Sequence, residues 1–279
     1  MAVWRWWCVV RGKVGDGVVQ PVVLKSSVLG GCGVPHGFST RVGGVSAGVF
    51  ASLNFGNPSD LPEGQRDSRE TIARNFGLLL GAVGAEGRRV VQVHQVHGAA
   101  VHVVRRGAEL SEITWGDVKA DAIVTDEPRA VVAVRVADCT PVLLSSEDGG
   151  VVGAVHAGWR GVVGGVVERA VEVMRGLGAR GIVGAIGPCI SGGEFEIGEE
   201  VVGAFRGVFG DDGALVWEVG GGKGRADMKA CLARQLAGVG VVGVEVVAGC
   251  TVRDAELFYS HRRERGVTGR MVGVIGARG

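Results

Sequence analysis

The sequence lacks an excess of either charge: 30 basic and 29 acidic side chains leave a net +1 over 279 residues. No field of the whole molecule draws it to nucleic acid or to an anionic membrane, so an anionic ligand has to be met by local groups. It also lacks a Cys-x-x-Cys pair or any close cysteine spacing, with Cys8, Cys32, Cys139, Cys189, Cys231 and Cys250 spread along the chain. This excludes a disulfide framework and points to a reducing compartment, the cytoplasm. No uncharged run reaches the roughly 20 residues that span a bilayer. The apolar stretches 131–144 and 150–167 are interrupted by Arg135, Asp138, His156 and Arg160. The first ten residues carry Arg5 and no adequate apolar region, and do not read as a secretory signal. The 51 glycines follow no fixed period, which excludes collagen and repeat arrays.

What is present reads as a variable N-terminal extension over 1–21 and a single domain over 22–279, because Gly, Lys and Asp break every early apolar run. A strand and a polar loop are expected from Gly37 to Asn54. Asp60 and Pro62 open a helix, with Ile72, Ala73, Phe76 and Leu79 or Leu80 on one face, that ends near Gly81. Strands are expected at 90–96, 100–104, 122–125 and 130–136. A hairpin over 141–145 and 151–155 turns at Asp148-Gly149. The best helical pattern runs over 160–177, with Val163, Val166, Val167, Ala170, Val171 and Met174 on one face. Further strands at 182–186, 244–247 and 270–275 and helices at 199–208 and 226–236 complete the pattern. Strands come in groups and do not alternate strictly with helices, which favours an α+β arrangement of mixed sheets.

The hairpin brings chemistry together. A two-residue loop at Asp148-Gly149 sets His156 across from Pro141 and within two positions of Cys139. Diagonal neighbours of this kind lie about 7–8 Å apart or less, so a thiol and an imidazole meet where Pro141 interrupts the ladder. Either a metal site or a Cys-His catalytic pair can use them. His97, ending a strand at a Gly turn, is the best third ligand, while His94 three residues earlier points to the opposite strand face. A His and thiolate set suits zinc, and three protein ligands leave a fourth position open.

Seven motifs then occur in the order found in the YfiH (laccase-domain) family. They are Phe38-Ser39-Thr40-Arg41-x-Gly-Gly-Val-Ser46, Ser52-Leu53-Asn54, Gln95-Val96-His97-Gly98, Ala137-Asp138-Cys139, His156-Ala157-Gly158-Trp159-Arg160-Gly161, Ile186-Gly187-Pro188-Cys189-Ile190 and Ser260-His261-Arg262-Arg263. The chain resembles that family from about Pro35 to Ile275. The resemblance implies a four-layer α/β/β/α sandwich with mixed sheets and zinc held by His97, Cys139 and His156, and it selects His97 over His94. It implies a purine nucleoside phosphorylase acting on adenosine, inosine and methylthioadenosine, with adenosine deaminase activity. Other functions described for the family are a copper polyphenol oxidase and an enzyme editing peptidoglycan precursors, the latter with Cys139 as nucleophile and His156 as base.

Within this frame Arg41 and Arg160 are the expected phosphate or substrate ligands, because a guanidinium donates two parallel hydrogen bonds to an oxyanion. Ser39 and Asn54 offer neutral hydrogen bonds to sugar or base, and Arg262 and Arg263 line the same cleft. Asp138 is expected to orient a ligand or accept a proton. Asp227 is an N-cap, and Cys189 is not counted as a ligand. A closed, purely structural zinc site would need a fourth protein ligand such as His36 or Cys189. The sequence leaves the oligomeric state open.

Overall fold

The computed structural model describes residues 20–58 and 61–279. The expected extension lies almost wholly outside the described residues, as does Asp60, the expected helix start. In chain order the strands are β1 Val23–Leu24, β2 His36–Ser39, β3 Arg89–Val91, β4 Val101–Val104, β5 Ala122–Thr125, β6 Ala130–Val136 and β7 Thr140–Ser145. They continue with β8 Val152–Ala157, β9 Val183–Ile186, β10 Glu196–Gly198, β11 Val216–Gly220, β12 Lys223–Ala226, β13 Gly243–Val246 and β14 Met271–Gly276. The α-helices are α1 Ser27–Gly31, α2 Arg69–Val83, α3 Trp159–Val163, α4 Val166–Gly176, α5 Glu199–Phe209 and α6 Met228–Gly238.

Two mixed sheets form, in the orders β1-β2-β14-β6-β3 and β13-β9-β7-β8-β5-β4, beside a small antiparallel sheet β10-β12-β11. Strand alternation divides the core into three layers. Val132 and Val134 of β6 face Ile123, Leu143, Ala154 and Ala185 between the two large sheets. Val131 and Ala133, one residue out of phase, face Ile72, Phe76 and Leu79 of α2 with Val272 and Val274. Val142, Leu144, Ala122 and Val124 turn the other way, onto Val167, Ala170, Val171 and Met174 of α4 and Leu232 and Leu236 of α6. The sheets are thus covered on both faces, which is why β5, β6 and β7 read as nearly continuous apolar runs. Each fully buried Leu, Val or Phe contributes about 1.5–3 kcal/mol. The layering is the expected α/β/β/α sandwich.

Local differences have local causes. Helix α2 starts at Arg69, not at Pro62, because the Ser68 side chain caps the Thr71 N–H; Glu63–Gln65 form a separate 3-10 turn. The expected helix 160–177 is two helices, since Gly165 takes φ +74° between α3 and α4. Hairpin register is as expected, with Pro141 opposite His156. Its turn is not the expected two-residue type: Gly149 has positive φ but Asp148 does not, and the Gly149 N–H donates to Ser146 O. Asp148 instead accepts from the Gly150 N–H, at 2.9 Å. The expected strand 90–96 stops at Val91, because beyond it the chain turns to another partner, with Gln92 N–H on Thr114 Oγ1 and His94 N–H on Val118 O. Asp227 caps α6 as expected, accepting from Ala230 N–H at 3.0 Å. Among the described residues no helix is long and apolar enough to cross a membrane.

Candidate metal centre and its cleft

The centre is assembled on a buried carboxylate. Asp121, directly before β5, is fully buried. It accepts backbone N–H bonds from Val96 at 3.3 Å, His97 at 2.9 Å and Gly98 at 2.7 Å. These bonds bend the chain out of the strand line and hold His97 at φ +60°, a left-handed conformation that a non-glycine residue adopts only when its surroundings fix it. The same carboxylate bonds His156 Nδ1 at 2.8 Å. With Nδ1 so engaged, His156 presents Nε2 to its other side, the arrangement that orients metal-binding imidazoles.

Cys139 follows β6 at Asp138, itself at φ +85°, and stands before β7, diagonal to His156 across the hairpin. The ligand atoms of His97, Cys139 and His156 all lie within 4.8 Å of one another. The two imidazole rings meet edge to face, 4.9 Å between centroids. Gly158 makes this approach possible: a methyl group there would sit 2.9 Å from His97 Cδ2 and 3.4 Å from Cys139 Sγ. Burial pushes the Cys139 thiol up, but the adjacent His156 and His97 outweigh it and bring it down to about 6. Burial likewise works against a charge on His156, while the Cys139 thiolate and Asp121 raise it to about 9. Donors in a tetrahedral zinc site lie ~3.5 Å apart, so a small contraction closes this trio on an ion. Two imidazoles and one thiolate-prone sulfur fit that metal. The trio opens onto a cleft of about 580 Å³, which His97, Cys139 and His156 line. Neither His36 nor Cys189 joins it. Both His36 ring nitrogens meet backbone of Val34 and Ser26, and Cys189 is buried with its sulfur against Ile190 O. His94 stands in the same cleft as His97, not on an opposite face, because the strand on which that expectation rested has ended.

The other expected site residues divide. Arg262 lines the cleft, with Nη2 on Glu196 O at 3.1 Å. Asp138 also lines it, but its oxygens accept from Thr251 Oγ1 at 2.5 Å and the Arg262 N–H at 2.6 Å, pinning two loops together. Arg41, Ser39, Asn54 and Arg160 are not among the lining residues. Arg41 lies over the Tyr259 ring at 4.5 Å and donates to Ala51 O and Ala255 O. Ser39 accepts from Val272 N–H. Asn54 Oδ1 holds the N–H groups of Gly56 and Arg270. Arg160 is exposed and stacks on its neighbour Trp159 at 4.2 Å. Arg263 clamps Thr251, Val252 and Phe258 carbonyls. Ser39, Arg41, Asn54 and Arg263 thus hold loop backbone in place.

Sequence reasoning passed over Asp121, Arg135 and Arg270. The last two line the cleft with Gln95, Phe195 and His261. Arg135 carried a signal, as the one charge in an apolar strand; Asp121, between two alanines, carried none.

Residues 35–278 match the family model described as multi-copper polyphenol oxidoreductase laccase, and the chain belongs to that family. It is 40% identical over 245 residues to a purine nucleoside phosphorylase of Deinococcus radiodurans, covering 87% of this chain and 89% of that one. The crystal structure of YlmD from Geobacillus stearothermophilus superposes with a TM-score of 0.79 at 30% identity, covering 93% of this chain and 97% of that one. That of the hypothetical protein YfiH from Bacillus licheniformis gives 0.80 at 28% identity, with the same coverage.

Proposed function

We propose that this member of the family is a cytoplasmic purine nucleoside phosphorylase with adenosine deaminase activity, working through one zinc ion held by His97, Cys139 and His156 in a single catalytic domain, 22–279. Similarity to proteins named purine nucleoside phosphorylase supports the first activity. The observation that carries the reading is one cleft lined both by a three-donor cluster open to it and by guanidinium groups. When bound, such an ion supplies Lewis acidity and lowers the pKa of a water molecule.

The chain's own residues do the rest. In phosphorolysis a phosphate oxygen bonds to the anomeric carbon while the bond to the purine nitrogen breaks. The base leaves with the bonding pair and takes a proton, and the sugar passes through a positively charged, oxocarbenium-like state. Among the described residues the cleft walls carry three arginines and one carboxylate, Asp138. That field suits an anionic attacking group. Asp121 fixes the His156 ring and the 96–98 turn together, so the donors are positioned before any ligand arrives. Asp138 acts as a positioning residue that ties the Arg262 loop to the Cys139 loop. Incubation with adenosine or inosine, with and without phosphate, tests the proposal. Phosphate-dependent release of free base with ribose 1-phosphate is expected, and ammonia from adenosine; absence of phosphate-dependent release from both nucleosides would remove the phosphorylase reading.

A second reading has its own observation: Asp121, His156 and Cys139 stand in the order of a carboxylate, base and thiol triad. It is that of a cysteine hydrolase, with peptidoglycan precursors as the substrate class. The second imidazole, His97, within 4.8 Å of the same sulfur, favours metal. A catalytic thiol is alkylated readily by iodoacetamide in the protein as purified, whereas a zinc thiolate is protected until chelation. Copper polyphenol oxidation is disfavoured, because O₂ reduction by several coppers needs more clustered donors than the one trio found among the described residues.

A further inference from the structure

Of the six histidines, His97 and His156 belong to the donor trio, both ring nitrogens of His36 are spent on backbone, and His102 lies on β4, outside the cleft lining. His94 and His261 remain, both lining the cleft. His261 belongs to the motif Ser260-His261-Arg262-Arg263, whose other members are engaged. Ser260 Oγ accepts from the Arg263 N–H at 3.1 Å, Arg262 Nη2 reaches Glu196 O, and Arg263 holds the carbonyls of Thr251, Val252 and Phe258. The acids nearby are engaged too. Glu264 accepts from the Ser260 N–H, Thr268 Oγ1 and Arg263, and Asp138 from Thr251 Oγ1 and the Arg262 N–H. Among the described residues no hydrogen bond or ion pair takes a ring nitrogen of His261.

The ring is nonetheless held in place. The His261 carbonyl accepts from the Gly266 N–H at 2.9 Å, which closes a turn. A methyl group on Gly266 would lie 3.5 Å from His261 Cε1, so the imidazole rests against bare backbone. The bond from the Arg262 N–H to Asp138, at 2.6 Å, ties this turn to the residue before Cys139. The Arg262 guanidinium also stands 5.9 Å from the centre of the Phe195 ring. Phe195 is the one phenyl ring among the described lining residues, and a flat heterocycle finds its stacking face there. The turn that carries His261 is thus tied both to the wall that suits a purine and to the loop that carries Cys139.

We propose, on the basis of the phosphorylase reading, that His261 is the general acid of phosphorolysis, protonating N7 of the purine as the glycosidic bond breaks, with the base against Phe195. An oxygen of hydrogen phosphate bonds to the anomeric carbon, and N9 takes the electron pair of the broken bond. The negative charge that develops on the base is neutralised by the proton from the His261 imidazolium. The proton released when hydrogen phosphate becomes the sugar phosphate dianion restores His261 through solvent, to which its side chain is exposed. Charge and protons balance without a further reactant. Histidine is the side chain that readily gives and regains a proton near neutral pH. N7 is common to adenosine, inosine and methylthioadenosine, so one donor serves all three. His94 has the same chemistry, but its backbone bonds run to Val118 and Ala120, whereas the ring contact with Phe195 comes from the residue beside His261.

The experiment gives the purified full-length protein phosphate and one of two nucleosides. Inosine has a base that needs a proton to leave, whereas the base of 7-methylinosine carries a fixed positive charge and leaves neutral without one. His261→Gln is expected to lower kcat on inosine about a hundredfold or more, at little change in KM for phosphate, and kcat on 7-methylinosine by less than about threefold. His261→Ala, which leaves room for the methyl group, should show the same split. His94→Gln should move both nucleosides alike. A purely structural role for His261 would also move both alike, and the melting temperature of each variant reports any loss of folding. Equal change on the two nucleosides, no loss on inosine, or the split appearing in His94→Gln instead would overturn the assignment while leaving the phosphorylase reading in place. A wild-type protein that cleaves neither nucleoside with phosphate would overturn that reading, and the role of His261 with it.

Discussion

Two groups of charged side chains share the cleft and handle charge in opposite ways. Around Cys139 every charge is matched within the protein: the sulfur by two imidazoles, and His156 by Asp121, which three backbone N–H groups also steady. Around Arg135 the described lining residues carry three guanidinium groups and one carboxylate, Asp138, which accepts from Thr251 and the Arg262 N–H. The first group is organised within the protein before anything binds, whereas the second sets guanidinium groups of like sign side by side. The two groups should therefore fail differently when disturbed.

The largest effect is expected from Cys139→Ala. It removes a donor from the trio, so metal content should fall from one equivalent to near zero. Nucleoside turnover should fall about a thousandfold or more, a loss of ~4 kcal/mol of transition-state stabilisation. Elemental analysis beside the kinetics checks both; full turnover with no metal would sink the metal reading. Next is Asp121→Asn, which keeps the shape but cannot serve the imidazole and the turn in the same way. Metal affinity should drop about 10–100-fold in a chelator competition, with phosphate binding nearly unchanged. An equal loss of both would mean that the two groups are not independent. Arg41→Ala touches neither group and should cost about 1–2 kcal/mol of stability, through the lost ring and carbonyl contacts, at unaltered KM values; urea titration measures it.

The smallest effect belongs to His36, far from both in role. Burial lowers its pKa below the ordinary 6.5. Above 6.5 neither the folded nor the unfolded chain protonates it. As pH falls below 6.5 the unfolded chain takes up a proton that the folded site resists, so stability declines from there down to the folded pKa and then levels off. His36→Gln should remove that part of the pH dependence, as followed by urea unfolding between pH 5 and 8.

The mixed α+β arrangement was legible in the grouping of the strands, the sandwich came from the family resemblance, and the pairing of 141 with 156 follows from where one turn falls. That register alone predicts that Cys139 and His156 meet. The break between α3 and α4 was less legible, since Gly164-Gly165 interrupts a pattern whose apolar positions continue unbroken across it. Ser39, Arg41 and Asn54 sit in motifs, yet their hydrogen bonds run to backbone groups of the cleft's own loops. In these motifs the polar side chains hold the loops that carry them. Arg135 could have been read as a charge that an apolar strand tolerates for a reason. Asp121 could not, because its importance arises only when four groups distant in sequence converge on one carboxylate.

The three donors come from segments separated by 42 and 17 positions, and only the closed double sheet gathers them. An ion held there binds the native chain far better than the denatured one, so mass action ties the folded fraction to free metal: about 2.7 kcal/mol when the concentration is a hundredfold above Kd. Metal supply would then set how much of this protein survives heat and proteases, as well as how fast it turns over.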